Sequence, residues 1–384
     1  MGLLQKEKLQ ALIVVTNESN NKNVFYLSGF GGTTGVFVLS KKKAVLVVDG
    51  RYTARAKSEA RGVTVVSPEQ RSKDGGMSGY LRAAFRELNL KEGSKIGYEG
   101  MRIPVLIARS WSSTFPMKFI PTKNAVERLR QTKDTYEIKE SMNAARATSR
   151  AFRDVMPRIR KGMTEQHVAL LIEYALKKRG ATGPSFETIV ASGPNAAIPH
   201  HKTALRKLRA GDSVVIDFGG LFPSGYCSDI TRTLFVPGGK PHQKLLDAYQ
   251  VVLIAHKKAF DALRPGLMWK EYDRVARDYI TKSGFGKHFT HGVGHSLGLD
   301  VHDPYDYVNN PFEAGTVLTD EPGIYIEGIG GVRIEDDIVI TKTGAQKLST
   351  APYLSGTMAG EKKNSNSRFS SNSAKKGSRR IKSL

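Results

Sequence analysis

Four short segments, far apart in a chain of 384 residues, carry acids and histidines in patterns that suit metal-assisted hydrolysis. In VVIDFGGLFPSGYCSDITRTLFV, two β-prone runs flank a Pro-Ser-Gly turn, with Asp217 on one arm and Asp229 on the other. A turn centred on Pro223 predicts that Leu221 faces Gly225, Gly219 faces Cys227 and Asp217 faces Asp229, with the two acids on one side of the sheet and their Cβ atoms roughly 5 Å apart. Two carboxylates that close repel each other, and a cation between them removes the penalty. Either aspartate alone would read equally well as a turn or strand-end residue facing water, so the weight of the pattern rests on the other segments.

EPGIYI places Glu321 beside a Pro-Gly turn, and GVRIEDDIVIT places Arg333 and Glu335 two apart on a predicted strand, hence on one face. HGVGHSLGLDVHD holds His291, His295 and His302, three of the nine histidines of the chain within 12 residues. Its glycines predict a backbone that bends sharply or passes close to another element. A further histidine, His200, stands in the Pro-flanked loop NAAIPHHKT, where His201 is equally eligible. Asp217, Asp229, His295, Glu321 and Glu335 form a set of four carboxylates and one imidazole. Oxygen-rich ligation with a single nitrogen suits Mn²⁺ first, with Co²⁺ or Zn²⁺ admissible, and four negative charges predict two divalent metal ions. Two ions about 3.5 Å apart can hold a water, lower its pKa and polarise a carbonyl oxygen.

The elements that must position these residues follow from periodicity. Apolar runs near Ala11, Val36, Ala44 and Val63 read as strands, and stretches from about Thr53 to Ala60 and Met77 to Leu90 as helices, which predicts a small α/β domain over residues 1–124. From residue 125 the texture changes. Tyr136, Ile138, Met142, Ala145 and Phe152 recur at near-helical spacing after Asp134, a candidate cap, and a second helix runs from Thr164 to a stop at Gly180. A third covers about His242 to Leu263, after which strands and Gly-rich loops are expected through residue 348, giving a second domain over 125–352.

Composition bounds the remainder. About 40% hydrophobic residues suffice for a sizeable core. The apolar runs all fall short of the roughly 18–20 residues that cross a bilayer, and MGLLQKEKLQALIVV lacks an apolar h-region, so neither a membrane span nor a secretory signal is expected. Cys227 is the only cysteine, which excludes an intrachain disulfide and a thiolate metal cluster and points to a reducing cytoplasm. The net charge of +23 invites a nucleic-acid reading. Residues 353–384 hold eight Lys or Arg against Glu361, a net +7, in a Ser- and Asn-rich stretch expected to be disordered. Such a tail could contact nucleic acid or the ribosome, or could simply be solvated.

DFGG…GYCSDITRT, HGVGHSLGLDVHD, EPGIYI and GVRIEDDIVIT, in that order, resemble the signatures of the pita-bread metallopeptidases, specifically the aminopeptidase P and prolidase branch. NVFYLSGFGGTTGVFVLS and VDGRYTARAKSEA resemble the creatinase-type N-terminal domain of the same branch. The resemblance implies an α/β (α+β) architecture whose second domain has a curved, mainly antiparallel sheet, and a homodimer. It implies that Asp217 and Asp229 chelate one metal, that Asp229 and Glu335 bridge both, and that His295 and Glu321 complete the second, with Glu321 also moving a proton. His302 corresponds to a histidine that stabilises the tetrahedral intermediate, His291 to a supporting histidine, His200 to a substrate-binding histidine, and Arg333 to a support of the metal cluster. The two aspartates stand one residue further apart than is usual in the family, which an extra residue in the turn accommodates. The implied substrate is a peptide with proline at the second position, cleaved as by an Xaa-Pro aminopeptidase or by a prolidase acting on dipeptides. The competing class is a noncatalytic binding protein of the same fold, or a metal-free creatinase-like hydrolase; the complete ligand set speaks against both.

Overall fold

The computed structural model describes residues 2–17, 22–67 and 76–354. The tail expectation for residues 355–384 lies outside the described residues.

The first part of the chain runs α1 (Gly2–Lys6), β1 (Ala11–Thr16), α2 (Lys22–Ser28), β2 (Gly35–Ser40), β3 (Ala44–Val47), α3 (Thr53–Glu59), β4 (Thr64–Val66), α4 (Gly76–Glu87), β5 (Lys95–Glu99), α5 (Val105–Thr114) and β6 (Lys118–Thr122). Its strands form one mixed sheet in the order β4-β3-β2-β1-β5-β6. The run ALIVVT is apolar throughout because both faces of β1 are covered: Ala11, Ile13 and Val15 pack with Leu81, Phe85 and Trp111, whereas Leu12 and Val14 pack with Val24, Phe30 and Ala56.

The second part begins with α6 (Glu127–Arg130) and α7 (Thr135–Val155). Asp134 caps α7 in a reciprocal box: its Oδ1 accepts from the Glu137 amide at 2.9 Å, and Glu137 Oε2 accepts from the Asp134 amide at 2.9 Å. Next come α8 (Glu165–Lys178), β7 (Gly183–Pro184), β8 (Ile189–Ser192), β9 (Ser213–Phe218), β10 (Gly220–Leu221), β11 (Ile230–Phe235), α9 (Gln243–Ala262) and α10 (Trp269–Lys282). The last described elements are β12 (Val317–Asp320), β13 (Gly323–Ile326), β14 (Gly330–Arg333), β15 (Asp336–Ile340) and β16 (Ala345–Lys347). Every strand pairing in this part is antiparallel. α7 and α8 bury Phe152, Val168 and Ile172 against Ile216 and Phe218. α9 and α10 bury Val252, Tyr272 and Ile280 against Ile324, Val332 and Ile338.

Four expectations need correction. α10 occupies a stretch expected to hold strands and loops; WKEYDRVARDYITK is largely polar, but Trp269, Tyr272, Ala276 and Ile280 recur at three- and four-residue spacing and form its buried face. The β9–β11 register is shifted by two residues: Asp217 faces Thr231 and Phe218 faces Ile230, while Leu221 bridges to Cys227. The loop is centred on Ser224, with the Phe222 amide donating to Tyr226 O at 3.1 Å and Gly225 in the left-handed region at φ +83°. That backbone conformation closes the turn one step beyond Pro223. A shift of two keeps every side chain on its face, so Asp217 and Asp229 remain on one side as diagonal neighbours. Arg333 and Glu335 do not share a strand, since Arg333 ends β14 and Glu335 lies in the two-residue bend before β15. Finally, Tyr353 and Leu354, placed with the tail on composition, are packed: the Leu354 amide donates to the Tyr249 hydroxyl at 2.9 Å, and the Tyr353 ring lies under the Arg232 guanidinium.

Candidate metal centre

A cavity of about 900 Å³ opens on the second part of the chain, and every residue singled out from the sequence lines it: Asp217, Asp229, His295, Glu321 and Glu335, together with His200, His291, His302 and Arg333. Donor atoms of Asp229, His295 and Glu335 all lie within 4.8 Å of one another. His295 Nε2 stands 3.4 Å from Asp229 Oδ2 and 3.5 Å from Glu321 Oε1, close enough for one cation to be shared. The other ring nitrogen, Nδ1, is turned to Ser296 O at 3.2 Å, which leaves Nε2 to face the acids.

Each side chain is held by its element. Asp217 projects from β9 and Asp229 from just before β11, where its amide reaches the Asp337 carboxylate at 3.2 Å. Glu335 is clasped from β11 on both ends: its amide donates to Thr231 O at 3.1 Å, and its Oε2 accepts from the Thr231 hydroxyl at 2.7 Å. The His295 loop lies directly on β12, where its amide donates to Thr319 Oγ1 at 2.9 Å. Gly294 makes that approach possible, since a Cβ there would meet Thr319 O at 2.1 Å. The loop carrying His302 is tied to the other end of the chain: Arg130, 1% exposed, donates to Asp300 at 2.6 Å and Asp303 at 2.5 Å, and also to Asn23 Oδ1 at 2.8 Å.

The electrostatics are those of an acid cluster out of water. Burial first, then the charges of Asp217 and Glu321, push Asp229 well above the ordinary carboxylate range. Burial, then Asp229 and Glu321, do the same to Glu335. Burial also raises Asp337. Arg333 is the counterweight: it meets Asp217 Oδ2 at 2.7 Å, the Tyr325 hydroxyl at 2.8 Å and Thr231 Oγ1 at 3.1 Å. Burial opposes its charge, yet Tyr325, Asp217 and Glu321 hold it firmly protonated. His291 donates to or accepts from Tyr325 Oη at 2.7 Å and is lowered by burial; His302, its ring 4.1 Å from that of His295, is lowered by burial and by His295. Both are therefore biased towards neutral imidazoles. His200 is exposed at the rim, while His201 is anchored to the fully buried Glu165 at 3.0 Å.

The donor set fits divalent metal. Among the described residues, Asp217 Oδ1 is buried without a hydrogen-bond partner although its other oxygen is taken by Arg333, so one acceptor is left for a cation. Tyr325, Thr231, Thr319 and Asp337 were not singled out from the sequence. Tyr325 stands in EPGIYI and Thr231 two residues after Asp229, so alternation along the strand could have flagged Thr231; nothing local flags the other three.

The chain matches Metallopeptidase family M24 over residues 139–342 and the Creatinase/Prolidase N-terminal domain over residues 2–132. A Pyrococcus horikoshii protein named Xaa-Pro dipeptidase is 35% identical over 90% of this chain and 94% of its own length. Among solved structures, an Xaa-Pro dipeptidase from Bacillus anthracis shares 35% identity at a TM-score of 0.83, covering 92% of this chain and 96% of that one. An X-Pro aminopeptidase from Thermotoga maritima shares 35% identity at a TM-score of 0.82, covering 90% and 97%. The acid cluster on an antiparallel sheet, the added N-terminal domain and these likenesses agree: the chain is a peptidase of Metallopeptidase family M24, with the pita-bread fold in its second domain.

Proposed function

We propose that the protein hydrolyses the bond between an N-terminal residue and a following proline, as an Xaa-Pro aminopeptidase, with two divalent ions held by Asp217, Asp229, His295, Glu321 and Glu335. The observation that carries the reading is the convergence of four carboxylates and one imidazole on a cavity, with Asp217 Oδ1 buried and, among the described residues, without a hydrogen-bond partner. Mn²⁺ suits that oxygen-rich set best, and Co²⁺ or Zn²⁺ are admissible. Bound there, the ions would supply an acidified water and polarise the scissile carbonyl.

The chain's own residues do the rest. Glu321, at the cavity edge of the cluster, receives the proton of the attacking water and delivers it to the leaving nitrogen of proline. His302, biased to the neutral form, donates a hydrogen bond where the carbonyl oxygen gains charge, and His291, held between Gly292 O and the Tyr325 hydroxyl, supports the site around it. His200, on the exposed loop, contacts the substrate. Arg333 holds Asp217 through Oδ2 and leaves Oδ1 aimed at the cluster. A dipeptidase reading has equal support from relatives named Xaa-Pro dipeptidase and differs only in the length of peptide accepted. Within this proposal we place the domain division at residues 124 and 125, between β6 and α6, expect a homodimer on the resemblance, and assign the cytoplasm on the lone Cys227.

The test is hydrolysis of Ala-Pro and of Ala-Pro-Ala by metal-stripped protein with and without Mn²⁺, and by Asp229→Ala. Mn²⁺-dependent release of alanine, absent in the variant, is expected; the faster peptide separates aminopeptidase from dipeptidase. Folded protein that cuts neither peptide with Mn²⁺, Co²⁺ or Zn²⁺ refutes the proposal.

A further inference from the structure

Behind the acid cluster lies a second pair of acids that the reaction does not use. β12 and β15 pair so that Asp320 stands directly opposite Asp336, and both are buried, at 0% and 1% exposure. Each is the immediate neighbour of a candidate ligand, Asp320 of Glu321 and Asp336 of Glu335. Successive residues of an extended chain point to opposite faces, so the two pairs lie back to back, Glu321 and Glu335 towards the cavity and Asp320 and Asp336 towards the helices. Like charges directly opposite each other on paired strands push the strands apart.

One side chain stands between the rear acids. His256, on α9 and 1% exposed, places Nε2 at 3.0 Å from Asp336 Oδ2 and Nδ1 at 3.0 Å from Asp320 Oδ2, the latter contact off the hydrogen-bond axis. Asp336 has further donors in Arg232 at 2.7 Å, Ser349 at 2.7 Å, Lys347 at 2.9 Å and the Tyr353 hydroxyl. Asp320 has none of these: among the described residues its only ion-pair contact is His256. The ring is buried, its helix is anchored in the core by Val252, Ala255 and Ala259, and Lys347 Nζ and the Tyr353 hydroxyl stand 2.9 Å and 3.4 Å from Nε2.

We propose that His256 is a positioning residue, a brace that bridges Asp320 and Asp336 from behind and thereby holds Glu321 and Glu335 at the separation metal binding requires. The inference rests on the metal reading of the preceding section. It also gives the packed Tyr353 a part, since its hydroxyl helps to saturate Asp336 on the same brace.

The experiment is titration of the metal-stripped full chain with Mn²⁺ alone, reading free Mn²⁺ by electron paramagnetic resonance, for wild type, His256→Gln, His256→Phe and Tyr353→Phe. Residues that orient metal ligands from outside the ligand set are worth roughly 10–100-fold in affinity, and that rise in Kd is expected for both His256 variants, with a smaller rise for Tyr353→Phe. Far-ultraviolet circular dichroism should stay at the wild-type signal, and kcat for Ala-Pro should recover at saturating Mn²⁺ with KM unchanged. If His256→Phe fails to fold, His256→Gln and Tyr353→Phe carry the test. Folded variants that bind Mn²⁺ as wild type does, even if they melt earlier, overturn the brace and leave the metal reading intact. Wild-type protein that binds none of Mn²⁺, Co²⁺ and Zn²⁺ overturns both.

Discussion

Arg333→Met should cost the metal-free protein about 3–5 kcal/mol, the range for removing one partner of a buried ion pair. Arg333 is 3% exposed and its guanidinium serves Asp217, Tyr325 and Thr231 at once, so solvent screens the pair little, and among the described residues no other cation pairs with Asp217. The loss has a ceiling, because an orphaned carboxylate can escape by taking a proton. From an ordinary value near 3.9, that escape costs about 5 kcal/mol at pH 7.5 but only about 2 kcal/mol at pH 5.5. The destabilisation should therefore shrink as the pH falls. Arg333→Lys keeps the charge but not the planar fork, and should recover only part of the loss. The assay is urea unfolding of metal-stripped wild type and variants at pH 7.5 and 5.5, followed by circular dichroism. A difference between Arg333→Met and wild type below about 1 kcal/mol at pH 7.5, the level of an exposed pair, would show that Arg333 is not the counter-charge of the cluster.

Three other outcomes follow from the same geometry. Asp229 and Glu335 have folded values raised above those of the unfolded chain, so their contribution is present at acid pH and is lost as pH rises through the folded values; the Tm of metal-free protein should fall with rising pH above about 6.5, and Mn²⁺ should remove the fall. Asp303 and Asp336, held low, act in the opposite sense only below the ordinary carboxylate range, whereas His291 and His302, lowered by burial, oppose the fall up to the free imidazole value near 6.5, so the fall is read above that pH. Glu335→Gln should abolish Mn²⁺-dependent cleavage of Ala-Pro yet leave the metal-free Tm at pH 8 equal to or above that of wild type, because it removes a repelling charge; a lower Tm would count against the repulsion. Gly225→Ala should cost about 1–3 kcal/mol in urea unfolding, since φ is +83° and the new methyl would meet Phe25 at 2.5 Å; a neutral result would mean that the turn relaxes freely.

What the amino-acid order determines by itself is chemistry and periodicity. The apolar runs of β1 to β4, the Asp134 cap of α7 and the Gly180 stop after α8 are legible because short-range sterics and hydrogen bonding set them. The ligand types are legible too, since four acids and an imidazole limit the ions they can hold. α10 escaped because its buried face is four residues in a polar stretch, and only the core it packs against makes that face decisive. The β9–β11 register escaped because two turns of different length are compatible with the same residues, and the backbone of Gly225 chooses between them. Tertiary structure alone brings segments more than a hundred residues apart into one cluster: Thr231 onto Glu335, Arg333 onto Asp217, Arg130 onto the His302 loop. Those contacts, and the back-to-back acids bridged by His256, depend on strand pairing and burial, which no local pattern encodes.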